Sequence, residues 1–368
     1  MEGATTEAPS AQRDASDVYD RQIRLWGADA QSKISSAKVL YITITGISSE
    51  ILKNLVLAGV QPAICDGRPY PSALSSTPSF FLNTTRITDT DATMMSENGT
   101  TDTTAISVAK AMQPLVHELN PLLEECVVDE RLVEDIPDAD FSNYDIVIAS
   151  RIGKEQACRI SKATVTGGGA FFLVDCFGMN GCAVLDLGPQ HEFRREIGKD
   201  KLSDVTKRSE GEYVSCDDIL HRRLMDMKVS RWDKTVPPPI WSRYAAILNF
   251  RDEEKEWPSA GCADSFSKKT LTWLSDMEEE QRKANETNGA KEGNNVATYS
   301  ISKSLLGSAE DLQYLSSIAD AEISPICAVL GGVVGNEVIK ALSGKGEPAN
   351  NVLLFDATDG GLRSYTVQ

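Results

Sequence analysis

Ala37-Lys38-Val39-Leu40-Tyr41-Ile42-Thr43-Ile44-Thr45-Gly46-Ile47-Ser48-Ser49 is the stretch that decides the fold, with Glu50 to Asp66 as its completion. Ala37 to Ile44 is apolar and β-branched along its length, as a parallel strand buried on both faces must be. Thr45 to Ser49 reads as a turn. From about Ser49 to Leu57, the residues Ile51, Leu52, Leu55 and Val56 form one apolar stripe at helical spacing. Gly59 stops that helix, and Gln61-Pro62-Ala63-Ile64-Cys65-Asp66 is a second strand. Strand, turn, helix and strand make a βαβ unit of the nucleotide-binding kind. Asp66, about 20 positions past the turn, stands where such a unit places its ribose contact.

The composition of the turn argues against a bound phosphate. A nucleotide fold needs glycines there, because phosphates approach the backbone where a Cβ would intrude. This turn carries Thr43, Ile44, Thr45 and Ser48, and keeps only Gly46. Glu50 adds negative charge near the start of the helix, which suits the helix dipole and repels a phosphate. The expectation is a nucleotide-binding frame with an empty phosphate position, and Asp66 as a relic or a cap.

The flanking sequence extends the same architecture. Tyr19 to Ser35 reads as helical, with Ile23, Trp26 and Ala30 on one face and Arg21 and Arg24 on a neighbouring one. After a proline-containing loop to Leu82 comes a polar stretch, 83–104, that reads as a mobile surface loop. An amphipathic helix over Ala105–Leu119 follows. Strands are predicted at Cys126–Val128, Tyr144–Ala149 and Ala170–Asp175, with a helix from Gly153 to about Ala163. Asp175 to Gly188 reads as a strand, a glycine-rich turn and a return strand. Strands vanish after Phe193, and helices are predicted near Cys216–Lys228, Ile240–Phe250, Ser265–Lys283 and Ala309–Ile318. Ile323–Leu342 is a long helix with small residues at Ala328, Gly331, Gly332 and Gly335; Glu337 and Lys340 make it a packed helix of a soluble protein rather than a membrane segment. Asn351–Asp356 and Gly361–Val367 are closing strands. The predicted class is α/β: a doubly wound, mostly parallel, Rossmann-like sheet with a helical insertion. Residues 1–17 are expected as a disordered tail, 18–195 and 320–368 as the Rossmann-like domain, and 196–319 as the insertion, with a disordered stretch near 284–295.

The chain has 368 residues and a formal charge of −17, with 41% hydrophobic residues, enough for a sizeable core. Nucleic acid and anionic membranes repel such a chain, so neither is expected as a partner. No signal peptide, transmembrane run or lipidation motif is visible, which points to a reducing intracellular compartment. The eight cysteines form no C-x-x-C pair, so zinc-ribbon spacing is absent. Cys216, followed by Asp217-Asp218, sits among charges that raise a thiol pKa, and Cys262 lies in a loop-like Gly261-Cys262-Ala263. Neither reads as a nucleophile. His117, His191 and His221 are isolated, without metal spacing. Arg21, from sequence alone, reads as a surface ion-pair former on a helix.

The Tyr19-Asp20-Arg21-Gln22-Ile23-Arg24-Leu25-Trp26-Gly27 stretch, the degenerate turn, the Ile51–Val60 segment, the Asp175–Gly188 hairpin with His191-Glu192-Phe193, and the C-terminal helix and strands together resemble the smaller subunits of heterodimeric SUMO-activating enzymes. That group lies within the superfamily of ubiquitin-activating and bacterial sulfur-carrier adenylating enzymes. The resemblance covers roughly 19–82, 105–195 and 320–368. Adenylating relatives carry Asn-Arg-Gln where this chain has Pro78-Ser79, a second departure at the ATP site. The resemblance implies a regulatory subunit whose catalytic-cysteine partner, the large subunit, binds ATP and Mg2+, adenylates the SUMO C-terminus, takes it as a thioester and hands it to the conjugating enzyme. It implies that Arg21 crosses to the ATP phosphates held by the partner, that no cofactor or metal is held by this chain alone, and that the nucleus, with the cytoplasm second, is its location. Two alternatives stand beside it: a self-sufficient homodimeric adenylating enzyme for a small ubiquitin-like or sulfur-carrier protein, and a nicotinamide-dependent oxidoreductase.

Overall fold

The computed structural model describes residues 15–70, 80–81, 106–198, 201–207, 213–221, 239–287 and 306–367. Most of the expected N-terminal tail, Pro78-Ser79, the 83–104 loop and 288–295 lie outside them.

One sheet organises the chain. Its strands are β1 (Lys38–Ile42), β2 (Gln61–Cys65), β3 (Val127–Asp129), β4 (Ile146–Ala149), β5 (Ala170–Phe177), β6 (Asn180–Asp186), β7 (Val352–Asp356) and β8 (Gly361–Tyr365). Their order is β8-β7-β6-β5-β4-β1-β2-β3. The run β3-β2-β1-β4-β5 is parallel, with Val39 opposite both Pro62 and Ile146. The last three strands are antiparallel additions at the β5 edge. Pro62 fits in an interior strand because β3 is short: its ladder starts at Ala63↔Val127, one residue later, so no neighbour asks for the missing N–H. The strand order reverses between β1 and β4, and a doubly wound sheet opens its ligand crevice at the carboxyl ends of the strands at that point.

Alternate residues of the strands feed two cores, which is why the strands read as continuous apolar runs. Val39 and Tyr41 face one core with α3 (Gly46–Leu57), α4 (Val108–Leu119) and α9 (Ser324–Ser343). Leu40 and Ile42 face the other, with α5 (Lys154–Thr166), α6 (Pro239–Glu254), α7 (Ala263–Thr287) and α8 (Ala309–Ala319). The helices of the middle region are therefore the second cover of the sheet. Tyr244, Ile247 and Phe250 of α6, Phe266 of α7 and Leu312 of α8 are buried in the same core as Phe171 and Leu173 of β5.

α9 packs along α3. A Cβ on Gly331 would stand 2.9 Å from Glu50 Cβ and 3.5 Å from the Ile47 carbonyl, so the small residue permits the close approach. Among the described residues α9 is the one helix long and apolar enough to cross a bilayer, with half of its apolar window buried inside the protein. Its Glu337 is buried, paired with Lys340 and accepting the Ala349 N–H at 2.7 Å.

Several local readings are corrected. The helix expected over Tyr19–Ser35 is two helices, α1 (Asp20–Trp26) and α2 (Ala28–Ser36), because Gly27 takes φ 88° and breaks the hydrogen-bond ladder. Ala15–Val18, within the expected tail, is a helical turn, and Ala284–Thr287 continue α7. Strands do not end at Phe193: Glu192–Phe193 pairs with Thr206–Lys207, and Glu196–Gly198 pairs with Lys201–Leu202. These ladders are too short for a periodic signature in sequence.

Candidate functional site

The site is built on the turn between β1 and α3. Thr45 caps the helix in extended conformation: its Oγ1 accepts the Ser48 N–H at 3.4 Å, and Ser48 Oγ accepts the Thr45 N–H at 2.7 Å. This reciprocal capping box starts α3 at Gly46, three residues before the apolar stripe marks it. Thr43 sits at φ 61°, a left-handed conformation that a β-branched residue adopts only under strain. Hydroxyl groups thus close the turn on itself.

The N–H groups at the head of α3 have an anion already. Glu322, only 7% exposed and just ahead of α9, accepts the Gly46 N–H at 2.7 Å and the Ile47 N–H at 3.2 Å. These are the groups that a helix N-terminus offers to a phosphate. An intrachain carboxylate from 276 residues away holds the place instead. Glu50, expected to supply the negative charge here, pairs with Lys53 on the same helix, and Lys53 lies 4.5 Å from the centre of the Phe80 ring. The N–H groups of Gly46 and Ile47 are thus both engaged within the chain.

Asp66, Arg68, Ser150, Asp175 and Arg151, around the same crevice, are engaged within the chain as well. Asp66 accepts the Ile44 N–H at 2.8 Å and holds Arg68 by two bonds, at 2.9 and 2.7 Å. Arg68 in turn donates to the Ile44 carbonyl at 2.7 Å. The carboxylate in the ribose position therefore braces the turn. Ser150, at the end of β4, bridges Thr45 Oγ1 and Asp175 Oδ1, each at 3.0 Å. Asp175 also accepts the Arg151 N–H at 2.8 Å and the Tyr244 hydroxyl at 2.7 Å. Full burial pushes the Asp175 carboxyl up to about 6, against the opposing pull of Arg151 and of its hydrogen bonds. Arg151 donates to the Ala319 carbonyl at 2.7 Å and stacks 4.6 Å from the Trp257 ring centre. The space left at the strand ends is a cavity of about 340 Å³ whose lining includes Thr43, Cys65, Arg68, Arg151, Arg251 and Trp257.

Arg21 lies elsewhere. It is exposed on α1, and among the described residues no ion pair engages it, whereas Arg24 is tied to Asp20 at 2.9 Å. α1 is anchored at the C-terminal end of α3. Gln22 donates to the Leu57 carbonyl at 3.2 Å, the buried Tyr19 hydroxyl accepts from Asn120 at 2.9 Å, and Lys345 holds the Trp26 carbonyl. The twelve residues of α3 separate that end from Gly46 by about 16 Å at 1.5 Å per residue. Arg21 thus stands far from the crevice of its own chain, and Val18, Leu25 and Leu57 are exposed at the same end.

The cysteines differ in setting. Burial pushes the Cys65 and Cys126 thiols up to about 12, and holds Cys182 well above the ordinary thiol range. Cys176 and Cys216 are raised first by hydrogen bonds to Cys327 and Cys158, and then by burial. For Cys216 the adjacent Asp217-Asp218 pair is not the cause; Asp186 supplies the carboxylate contribution. His221, isolated in sequence, stands 3.9 Å from Cys158, 63 residues away.

The human SUMO-activating enzyme subunit 1 is 27% identical to this chain over 384 residues, spanning 97% of the chain and 95% of that protein. The Dictyostelium discoideum SUMO-activating enzyme subunit 1 is 26% identical over 346 residues, 93% of the chain and 90% of that protein. The chain is a homologue of SUMO-activating enzyme subunit 1. The DNA damage tolerance protein rad31 of Schizosaccharomyces pombe is 27% identical over 349 residues, 93% of the chain and 94% of that protein. No protein-family model matches the chain. The likeness to subunit 1 runs through the 239–319 helices as well as the sheet, consistent with the single pair of cores they share.

Neither Glu322 nor the Cys158–His221 contact was readable beforehand. Each joins residues far apart in the chain, and nothing local marks Glu322 beyond its place two residues ahead of a helix.

Proposed function

We propose that this chain is the subunit-1 component of a SUMO-activating enzyme and works as half of a heterodimer with a catalytic-cysteine large subunit. The large subunit binds ATP and Mg2+ and joins the SUMO C-terminal carboxylate to AMP, releasing pyrophosphate. Its cysteine then takes SUMO as a thioester, releasing AMP, and the conjugating enzyme accepts SUMO from the assembled pair. In this reading no cysteine of this chain acts as a nucleophile and the chain binds no ATP of its own. Its turn between β1 and α3 is a retired phosphate site, closed by Glu322 on the Gly46 and Ile47 N–H groups, and that closure is the observation that carries the proposal.

Arg21 is the group this chain lends. Its exposure on α1, its lack of an ion-pair partner among the described residues and its distance from its own crevice support a role across the subunit boundary. A guanidinium is charged at every working pH and presents a planar fork to phosphate oxygens, so it stabilises the charge that gathers on departing pyrophosphate. Exposed Val18, Leu25 and Leu57 at the same end supply apolar surface for the partner. The nucleus is the location this role suggests.

The test is SUMO-dependent ATP–pyrophosphate exchange by the pure chain and by the chain with the large subunit. The proposal expects no exchange from the chain alone and robust exchange from the pair. Exchange by the chain alone would replace it with the self-sufficient homodimeric enzyme.

A further inference from the structure

On the sheet face opposite α3, two elements distant in sequence meet at their polar edges. Cys158 is on α5, and Asp217 and His221 are on the short helix Cys216–His221. His221 Nδ1 lies 3.9 Å from Cys158 Sγ and 3.1 Å from Asp217 Oδ1, and one ligand atom from each of the three residues falls within 4.8 Å of the others. We propose that Cys158, Asp217 and His221 form a binding site for a divalent ion of the zinc class, with the fourth position open to water.

Ligand identity favours that ion. A thiolate, an imidazole and a carboxylate suit zinc and are a poor set for magnesium or calcium, which take oxygen ligands alone. Thiolate and carboxylate together balance the charge of a divalent cation. The spacing also fits. Bonds of about 2.3 Å to sulfur and 2.0–2.2 Å to nitrogen and oxygen at tetrahedral angles put neighbouring ligand atoms roughly 3.4–3.6 Å apart. The pairs here straddle that value, so small side-chain rotations close the set around an ion.

The frame that carries the ligands is fixed. Asp186, 2% exposed, accepts Ser161 Oγ of α5 at 2.7 Å and the Cys216 N–H at 2.8 Å, which locks the short helix to α5. Tyr213 donates to the same carboxylate at 3.1 Å. The nearby Arg159 does not compete for the ligands, since it is held by Asp138, Gln156 and the Val133 and Ile136 carbonyls. Side chains of Asp217 and His221 remain 67% and 55% exposed, so an ion has an open route in.

A Cys-His-Asp catalytic arrangement fits less well. Such an arrangement sets nucleophile and carboxylate on different ring nitrogens of the histidine. Here the same Nδ1 faces both Cys158 and Asp217, which is the geometry of groups converging on one point. On metal binding the Cys158 thiol proton leaves to solvent, and His221 binds as the neutral imidazole through the Nδ1 lone pair, with its one ring proton on Nε2.

The test uses the full chain, stripped with a chelator and titrated with zinc against a chromophoric competitor, with cobalt as a spectroscopic substitute. The expected result is one equivalent bound and, with cobalt, tetrahedral visible absorption with a sulfur-to-metal charge-transfer band. Cys158→Ser and His221→Gln should each weaken binding by more than about 10-fold, the cost of disturbing even an outer partner of a metal site. Both positions are accessible to solvent, and unchanged circular dichroism checks the fold of each variant. Cys262→Ser, a half-buried thiol elsewhere, should bind as the parent does. Absence of bound metal in the parent, or retention of parental affinity by either Cys158→Ser or His221→Gln, overturns the proposal.

Discussion

Replacing Glu322 should separate the two tasks its carboxylate performs. It fills the phosphate position of the turn and satisfies two buried N–H groups, those of Gly46 and Ile47, at 2.7 and 3.2 Å. Glu322→Ala leaves both donors without an acceptor. A buried donor stripped of its partner costs about 1–3 kcal/mol, and an anion at a helix N-terminus contributes about 0.3–1 kcal/mol beyond that. The expected loss is about 3 kcal/mol. With an unfolding entropy near 2.1 cal/mol/K per residue, that loss lowers the melting temperature of a chain this long by about 4 °C. Glu322→Gln keeps one acceptor and should lose about 1 kcal/mol, mainly the charge. The second task gives the sharper readout. With the plug gone, the head of α3 offers free N–H groups, so sulfate or pyrophosphate should raise the melting temperature of Glu322→Ala well beyond its effect on the parent. Urea midpoints and thermal scans across an anion series, with chloride at matched ionic strength, provide the assay. A Glu322→Ala protein as stable as the parent, or an anion effect equal in both, would refute the reasoning.

Asp175 supplies a pH prediction. Its carboxyl is raised by burial from 3.8 to about 6, so between those values the folded state binds the proton that the unfolded state has released. Stability from this group is full below pH 3.8 and is lost as pH rises to about 6; the total is about 3 kcal/mol at 1.36 kcal/mol per unit. Asp175→Asn should flatten the fall of the urea midpoint across that window, and an unchanged slope would show that the carboxyl is not held protonated. Gly27→Ala places a Cβ at φ 88° between α1 and α2 and should cost about 1–2 kcal/mol, read by urea denaturation. The metal titration above adds a fourth expectation, that Cys158→Ser and His221→Gln lose zinc together.

The frame of the molecule was legible because its physics is local. β1, α3 and β2 are marked by a continuous apolar run, a helical stripe and a stopping glycine, all within 30 residues of one another. α6 was found as a helix, yet its docking on the sheet was not, since it buries Ser242 and Ala246 on the side opposite Tyr244 and Ile247 and so shows no clear polar face to orient it. Glycine at position 27 divided a helix that the apolar spacing of Ile23, Trp26 and Ala30 made look continuous. At the site, the missing glycines marked the turn as one that departs from a phosphate-binding loop. The acceptor that these N–H groups find was hidden, because Glu322 is placed by the packing of α9 on α3 and by no property of its neighbours in sequence.

The central claim is that this chain gives up its own phosphate site and lends Arg21 to its partner's. It is tested most directly by SUMO-dependent ATP–pyrophosphate exchange with the large subunit paired to the parent chain or to Arg21→Ala, with pair formation checked by gel filtration. Exchange reduced by about 10²-fold or more in an intact pair is the result the account predicts. Full exchange with Arg21→Ala would contradict it and leave this chain as a scaffold.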